Sequence, residues 1–267
     1  MRPRISPRHA LALLRPRPLS TSPVTARLRN RSPAPPSVLG SVSPELRAFT
    51  EELALERRSI LEFVARCARE LAPGARVLDA GAGNAPYREL FEHCDYVTTD
   101  WSESVHPGAR RADVIASLDA LPVDDASFDA VLCTQVLEHV DDPGAVLGEL
   151  HRVLRAGGGL WLTVPLAWPL HEEPFDFFRY TPYSLTTLLE RAGFVDVEVA
   201  ARNGYFATIA QLLRIAPDAV GHGGPSRARL FEDLQRLADQ LERLDGIDQR
   251  RIFPLGYLAT ALRPAGP

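Results

Sequence analysis

The chain contains no lysine: every one of its 30 basic residues is arginine, where average usage would supply many lysines. The absence points to a GC-rich coding sequence and weakens one argument about the N-terminus. Residues 1–44 hold eight arginines and no Asp or Glu, a pattern shared with organelle transit peptides. In a lysine-free chain, however, any basic tail is arginine-rich. Residues 1–43 are therefore read as a disordered Arg/Pro/Ser-rich leader, with a transit peptide or a mis-assigned start as alternatives. Cysteine is scarce as well. Cys67, Cys94 and Cys133 are odd in number, far apart and without paired metal spacing, which excludes a disulfide framework and suits thiols in a reducing compartment. The longest apolar passage, Gly157 to Leu170, is interrupted by Pro165 and Pro169 and falls short of the roughly 18 residues a membrane span needs. A cytoplasmic chain with no membrane span is expected. The net charge of −4 hides an asymmetry, because beyond the leader 22 arginines face 34 acids. An acidic folded part excludes a broad nucleic-acid surface and leaves a small molecule as the expected partner. Oligomeric state has no signature here.

What the chain does contain is an alternation of short β-branched runs with helical patterns. A helix begins at Ser43-Pro44-Glu45, and Ile60, Val64, Cys67 and Leu71 carry one amphipathic face. Strands are expected at 76–81, 95–100, 112–117, 128–135 and 159–164, with a helix from Pro143 to Leu154 stopped by the glycines of "RAGGG". Further on come a helix at 183–191, a strand at 195–200, helices at 205–215 and 227–245 separated by a flexible loop at 217–226, and a last strand within 253–262. Strands alternating with crossovers imply an α/β fold, a mostly parallel sheet with helices on both faces. Residues 44–267 read as one domain, divided into a cofactor half at about 75–155, an acceptor loop at about 165–183, and C-terminal helices and strand at 205–263. There is no internal repeat.

The first strand runs into "DAGAGNAP", Asp79 to Pro86, and the second ends at Asp100. Gly81 and Gly83 let the main chain approach a ligand at the mouth of the sheet, and an acid after the second strand can accept both hydroxyls of a ribose. A nucleoside is therefore the expected ligand. A dinucleotide fingerprint needs a third glycine, which here is Pro86, so a dinucleotide-dependent oxidoreductase is the weaker alternative. The strings "VLDAGAGNA", "LPVDDASFDAVLCTQVLEHVDDP" and "ELHRVLRAGGGLWLTVP" resemble the class I S-adenosylmethionine-dependent methyltransferases, in particular the type 11 group. The resemblance covers about Ala75 to Gly193. It implies a Rossmann-like seven-stranded sheet with an antiparallel last strand and S-adenosyl-L-methionine as cofactor. By that likeness Asp79, Gly81 and Gly83 face the methionine part and Asp100 the ribose. Trp101 lies against the adenine, Ser117 and Leu118 at its edge, and Gln135 near the sulfonium. The family often has Asp where this chain has Ser117, so adenine recognition leans on main-chain groups or on Asp119. Asp129 reads instead as a structural carboxylate at a strand start.

After the fifth strand stands "HEEPFDFFRYTP", residues 171–182. It follows neither helical nor strand periodicity, and it resembles an H-E-x-P-x-D-x-x-R-Y-T-P block found at that place in a subgroup of type 11 methyltransferases. H-E-x-x-H would need histidine where Phe175 stands, so a zinc protease is excluded. Glu138, His139 and His171 follow the fourth and fifth strands and are the candidate catalytic groups. Glu173, Asp176, Arg179 and Tyr180 are candidate acceptor contacts, with Phe175, Phe177 and Phe178 as walls. Arg179 and Asp176 also admit an internal ion pair that fixes the loop, with Thr181-Pro182 opening the next helix. No metal ligands are assigned. Some metal-assisted O-methyltransferases of this fold use E-x-x-E-H with a later histidine, and here Gln135 replaces the first acid; that chemistry is an alternative to simple methyl transfer onto a hydroxyl, as is a catalytically silent cofactor-binding module.

Overall fold

In the computed structural model the described residues are 38–220 and 225–266. Residues 1–37 of the expected leader and 221–224 of the expected loop lie outside them. Seven strands, β1 (Arg76–Ala80), β2 (Asp95–Asp100), β3 (Val114–Ile115), β4 (Phe128–Thr134), β5 (Leu154–Pro165), β6 (Val195–Arg202) and β7 (Gly256–Leu262), form one sheet in the order β3-β2-β1-β4-β5-β7-β6. The pairs from β3 to β5 are parallel, and β7 is antiparallel to both its neighbours. This is the Rossmann-like sheet expected from the sequence.

Alternation along the strands explains why both faces are covered. Leu78, Val131, Cys133, Leu160 and Leu162 pack on one face with α3 (Pro143–Val153) and α4 (Pro182–Arg191). Val77, Ala130, Leu132 and Trp161 point the other way, against Ile60, Leu61, Val64 and Cys67 of α2 (Ala54–Glu70). Successive residues of a strand face opposite sides, and a parallel sheet buried on both sides reads as a continuous apolar run.

The helix ends follow from local chemistry. Ser43 caps α1 (Pro44–Glu52) by accepting from the Leu46 amide at 3.1 Å. Asp142 caps α3 through Ala145 at 3.0 Å, and Thr181 and Ser184 form a reciprocal capping box at the start of α4. α5 (Tyr205–Val220) and α6 (Pro225–Leu244) are longer than expected.

Two departures have visible causes. The helix expected from Ser43 onward breaks at Leu53 into α1 and α2, and Arg57 takes up the Phe49 carbonyl at 2.7 Å, one of those a helix end leaves open. The strand expected over 112–117 shrinks to two residues. Here the Asp113 carboxylate accepts from the Thr98 amide at 2.9 Å and Thr98 Oγ1 donates to it at 2.7 Å, in place of further ladder bonds. Asp129 is structural, accepting from the Arg76 amide at 2.8 Å and from Arg155 at 2.5 Å.

A fully buried guanidinium joins the ends of the domain. Arg202, closing β6, donates to Glu56 Oε1 at 3.0 Å and to the Glu56 carbonyl at 3.1 Å. Removing one member of such a pair strands the other in low dielectric. Glu56→Ala is therefore expected to cost about 3–5 kcal/mol in urea unfolding, more than the double replacement Glu56→Leu with Arg202→Met. Equal costs would show that the pair is not coupled.

Candidate active site

The carboxyl ends of β1, β2, β4 and β5 converge where the strand order reverses between β1 and β4, the place where open α/β sheets bind ligands. Beyond β1 the chain turns through Gly81 and Gly83, both at positive φ (74° and 55°). The Gly81 and Ala82 amides donate to the Thr99 carbonyl at 2.9 and 3.0 Å. Asp100 ties the turn down, accepting from the Gly83 amide at 2.7 Å and from Trp101 at 2.8 Å. A carboxylate has about four lone-pair sites, so each oxygen keeps acceptor capacity. Any Cβ on Gly81 would come within 2.5 Å of Val136 Cγ2, so only glycine fits there.

A cavity of about 300 Å³ opens beside this turn. Gly81, Asp100, Trp101, Ser117, Leu118 and Gln135 line it, with Asp119. Asp79 and Gly83 lie outside the lining. Asp79 is buried, accepts from the Tyr96 hydroxyl, and keeps Oδ1 without a hydrogen-bond partner. Burial pushes its carboxyl up to about 7, against the opposing Tyr96 hydrogen bond. Gln135 also sits at positive φ, 54°, with Nε2 donating to Thr163 Oγ1 at 2.9 Å.

Val136, His106 and Glu172 also line the cavity; Val136 and Glu172 stand inside the quoted strings without having been singled out, and His106 lies in no motif. His106 Nε2 lies 3.3 Å from Glu172 Oε1, a contact that raises the imidazole and lowers the carboxyl. Trp101 meets Phe175 edge to face at 5.0 Å.

The side of the cavity opposite the glycine turn is built by joining two loops. Leu137–His139 is a 3-10 turn after β4. The Glu138 carbonyl accepts from the Phe177 and Phe178 amides at 2.9 and 3.2 Å, and His139 Nδ1 donates to the Phe175 carbonyl at 2.8 Å. A carbonyl only accepts, so the proton sits on Nδ1 and Nε2 carries the free lone pair. Burial also lowers the His139 pKa. His139 lines the cavity, and the His171 ring stands 4.7 Å from it, centre to centre. His171 Nδ1 lies 3.2 Å from both Asp176 Oδ2 and the Pro169 carbonyl. Glu138 is fully buried with both carboxylate oxygens unpartnered, and burial pushes it up to about 8.

The expected acceptor contacts are placed differently. Arg179 forks onto Asp176 at 2.5 and 2.8 Å and donates to the Trp168, Pro169 and Phe178 carbonyls, so its donors are spent inside the loop. The guanidinium holds Asp176 well below the usual carboxylate range. Tyr180 is buried and donates to the Leu137 carbonyl at 2.8 Å. Glu173 is exposed and outside the lining, and its neighbour Glu172 holds that place. Asp176, Arg179 and Tyr180 are the frame of the loop, because internal partners occupy their polar atoms.

The cavity meets the needs of a nucleoside sulfonium: an aromatic wall at Trp101, a carboxylate with open acceptor sites at Asp100, and a Cβ-free approach at Gly81. Known proteins agree. Residues 78–162 match the family described as a methyltransferase domain. A probable S-adenosylmethionine-dependent methyltransferase of Mycobacterium tuberculosis is 30% identical over 269 residues, 88% of this chain and 96% of the relative. A ubiquinone biosynthesis O-methyltransferase of Xanthomonas campestris pv. campestris is 34% identical over 115 residues, 39% of this chain and 47% of that one. An S-adenosylmethionine-dependent methyltransferase structure from Archaeoglobus fulgidus shares the fold with a TM-score of 0.53 and 19% identity, over 80% of this chain and 98% of that chain. The protein belongs to the S-adenosylmethionine-dependent methyltransferases, which removes the dinucleotide alternative and leaves no ground for a catalytically silent module. Among the described residues no helix is long and apolar enough to cross a membrane.

Gly81→Ala is expected to lose about 1–2 kcal/mol from left-handed backbone strain and to abolish stabilisation by adenosylhomocysteine. Adding Val136→Ala should recover part of the loss in a thermal-shift series; no recovery would mean that the Val136 contact is not the obstacle. A second expectation concerns Asp79. A carboxyl raised in the fold holds a proton that the unfolded chain releases, so its ionisation erodes stability as pH rises from about 3.8 to about 7. Denaturation at several pH values should show wild type losing ground to Asp79→Asn across that window, with a constant difference above it.

Proposed function

We propose that this methyltransferase transfers its methyl group to a hydroxyl oxygen of a small polar acceptor held against residues 165–183. S-adenosyl-L-methionine supplies an activated methyl on a sulfonium; Asp100, Trp101 and Gly81 would hold it, with Ser117, Leu118 and Gln135 around it. The protein's own task is then to place a nucleophile and manage its proton. A neutral amine brings a free lone pair, whereas a hydroxyl must give up a proton as its oxygen takes the methyl.

The observation that carries the oxygen reading is the fixed tautomer of His139. Its Nδ1 is committed to the Phe175 carbonyl at 2.8 Å, and the ring lines the cavity with Nε2 free. That nitrogen can take a hydroxyl proton, and His171 beside it is held the same way by Asp176. Leu170, Phe177 and Phe178 are exposed around the loop and suit an acceptor whose hydroxyl is borne on a partly apolar body. The O-methyltransferase relative supports the same chemistry.

Labelled-methyl transfer from the cofactor into fractionated host extract identifies the acceptor. His139→Ala should lower kcat by about 100-fold or more, the range general-base groups contribute, with adenosylhomocysteine affinity unchanged. A labelled product methylated on nitrogen or carbon would overturn the assignment.

A further inference from the structure

Glu138 presents an anomaly that methyl transfer alone does not use. A carboxylate with no exposed surface and neither oxygen hydrogen-bonded is expensive, because buried polar groups are normally paired or bind metal. The two atoms nearest in kind are imidazole nitrogens. One ligand atom each from Glu138, His139 and His171 lies within 4.8 Å of the others, and His139 Nε2 is 3.9 Å from Glu138 Oε1. Both rings have Nδ1 engaged elsewhere, His139 on the Phe175 carbonyl and His171 toward Asp176 and the Pro169 carbonyl. Nε2 is therefore the nitrogen each has free.

We infer that Glu138, His139 and His171 form a site for a transition-metal dication of the zinc type, with an open position toward the cavity. The donor set decides the class of ion. Two imidazoles and one carboxylate suit zinc and its neighbours, whereas magnesium and calcium take oxygen. Three protein ligands with a vacant position is the pattern of catalytic zinc. The outer partners fit too, since ligating histidines characteristically give their other N–H to a carboxylate or a backbone carbonyl, and here one does each. Bonds of about 2.0–2.2 Å need the three atoms to draw closer than 3.9 Å. Asp176 is itself clamped by Arg179, which keeps the His171 anchor in place while the ring adjusts.

What fills the open position rests on the proposed function: an oxygen ligand, hence the acceptor's hydroxyl, acidified by the ion's charge. With the ion bound, that charge takes over from His139 Nε2. Ion binding itself does not depend on that reading.

The test uses the full chain, treated with chelator and then titrated with Zn2+ by calorimetry and with Co2+ by visible absorption. The expected result is one ion per chain and a cobalt spectrum of a low-coordinate nitrogen and oxygen site. Glu138→Gln, His139→Ala and His171→Ala should each weaken binding by more than about 100-fold, and Asp176→Asn by about 10- to 100-fold. His93→Ala should bind as wild type. Retained stabilisation by adenosylhomocysteine shows that each variant is folded. No saturable Zn2+ binding in wild type, or unchanged binding in His171→Ala, overturns the site. Saturation by Mg2+ but not Zn2+ overturns the class of ion. If Zn2+ binds as expected but no hydroxyl is methylated, the acceptor reading fails and the metal site stands.

Discussion

The site depends on the fastening of residues 171–181 to the short turn after β4. Four hydrogen bonds do this: two amides onto the Glu138 carbonyl, the His139 ring onto the Phe175 carbonyl, and the Tyr180 hydroxyl onto the Leu137 carbonyl. Without them Glu138 and His139 would belong to one loop and His171 to another. Three of the four fall on the main chain of Leu137 or Glu138 and the fourth on the His139 ring, so the join is rigid in direction as well as distance. The same bonds set the His139 tautomer and place Phe175 against Trp101, so both sides of the cavity share one support.

Local signals carried most of the fold and of the cofactor half into the sequence. Gly81 and Gly83 are legible because left-handed backbone is nearly specific to glycine, and Asp100 because the distance between consecutive strands fixes its place. Six of the eight expected cofactor residues line the cavity. Asp79 does not, since it turns to Tyr96, and nothing in a one-dimensional string shows which of two neighbouring strands a carboxyl faces. Residues 171–182 were legible as a structured loop between a strand and a helix and not as a set of contacts. Its joins are made by backbone groups, which every residue carries, so no residue type marks them. Glu172, not Glu173, lines the cavity and stands at a positive φ of 53°, a twist that an aperiodic segment does not advertise. His106 reaches the wall from a loop without pattern. Asp176 and Arg179 were recognisable as charges, but whether a charge meets a ligand or its neighbour is decided by packing.

Asp79 and Glu138 are both carboxyls buried at the strand ends and raised toward neutrality. Groups held in this way cost folding stability and cluster where chemistry is done. The remainder of the chain offsets them with a dense sheet core and with the Arg202–Glu56 pair, which ties the edge strand β6 back to α2. Stability and site are thus spatially separated: the helical layers hold, and the carboxyl edge of the sheet is left polar.

The Arg179 clamp has a consequence for substitution in this loop. Because the guanidinium is saturated by Asp176 and by carbonyls of residues 168, 169 and 178, the loop carries its own scaffold and does not borrow shape from whatever it contacts. Its outer positions, Glu173, Phe177 and Phe178, stand exposed. Substitution at those tips therefore leaves the cradle and the histidine pair in register. The segment behaves as a cassette whose frame and face can be altered independently.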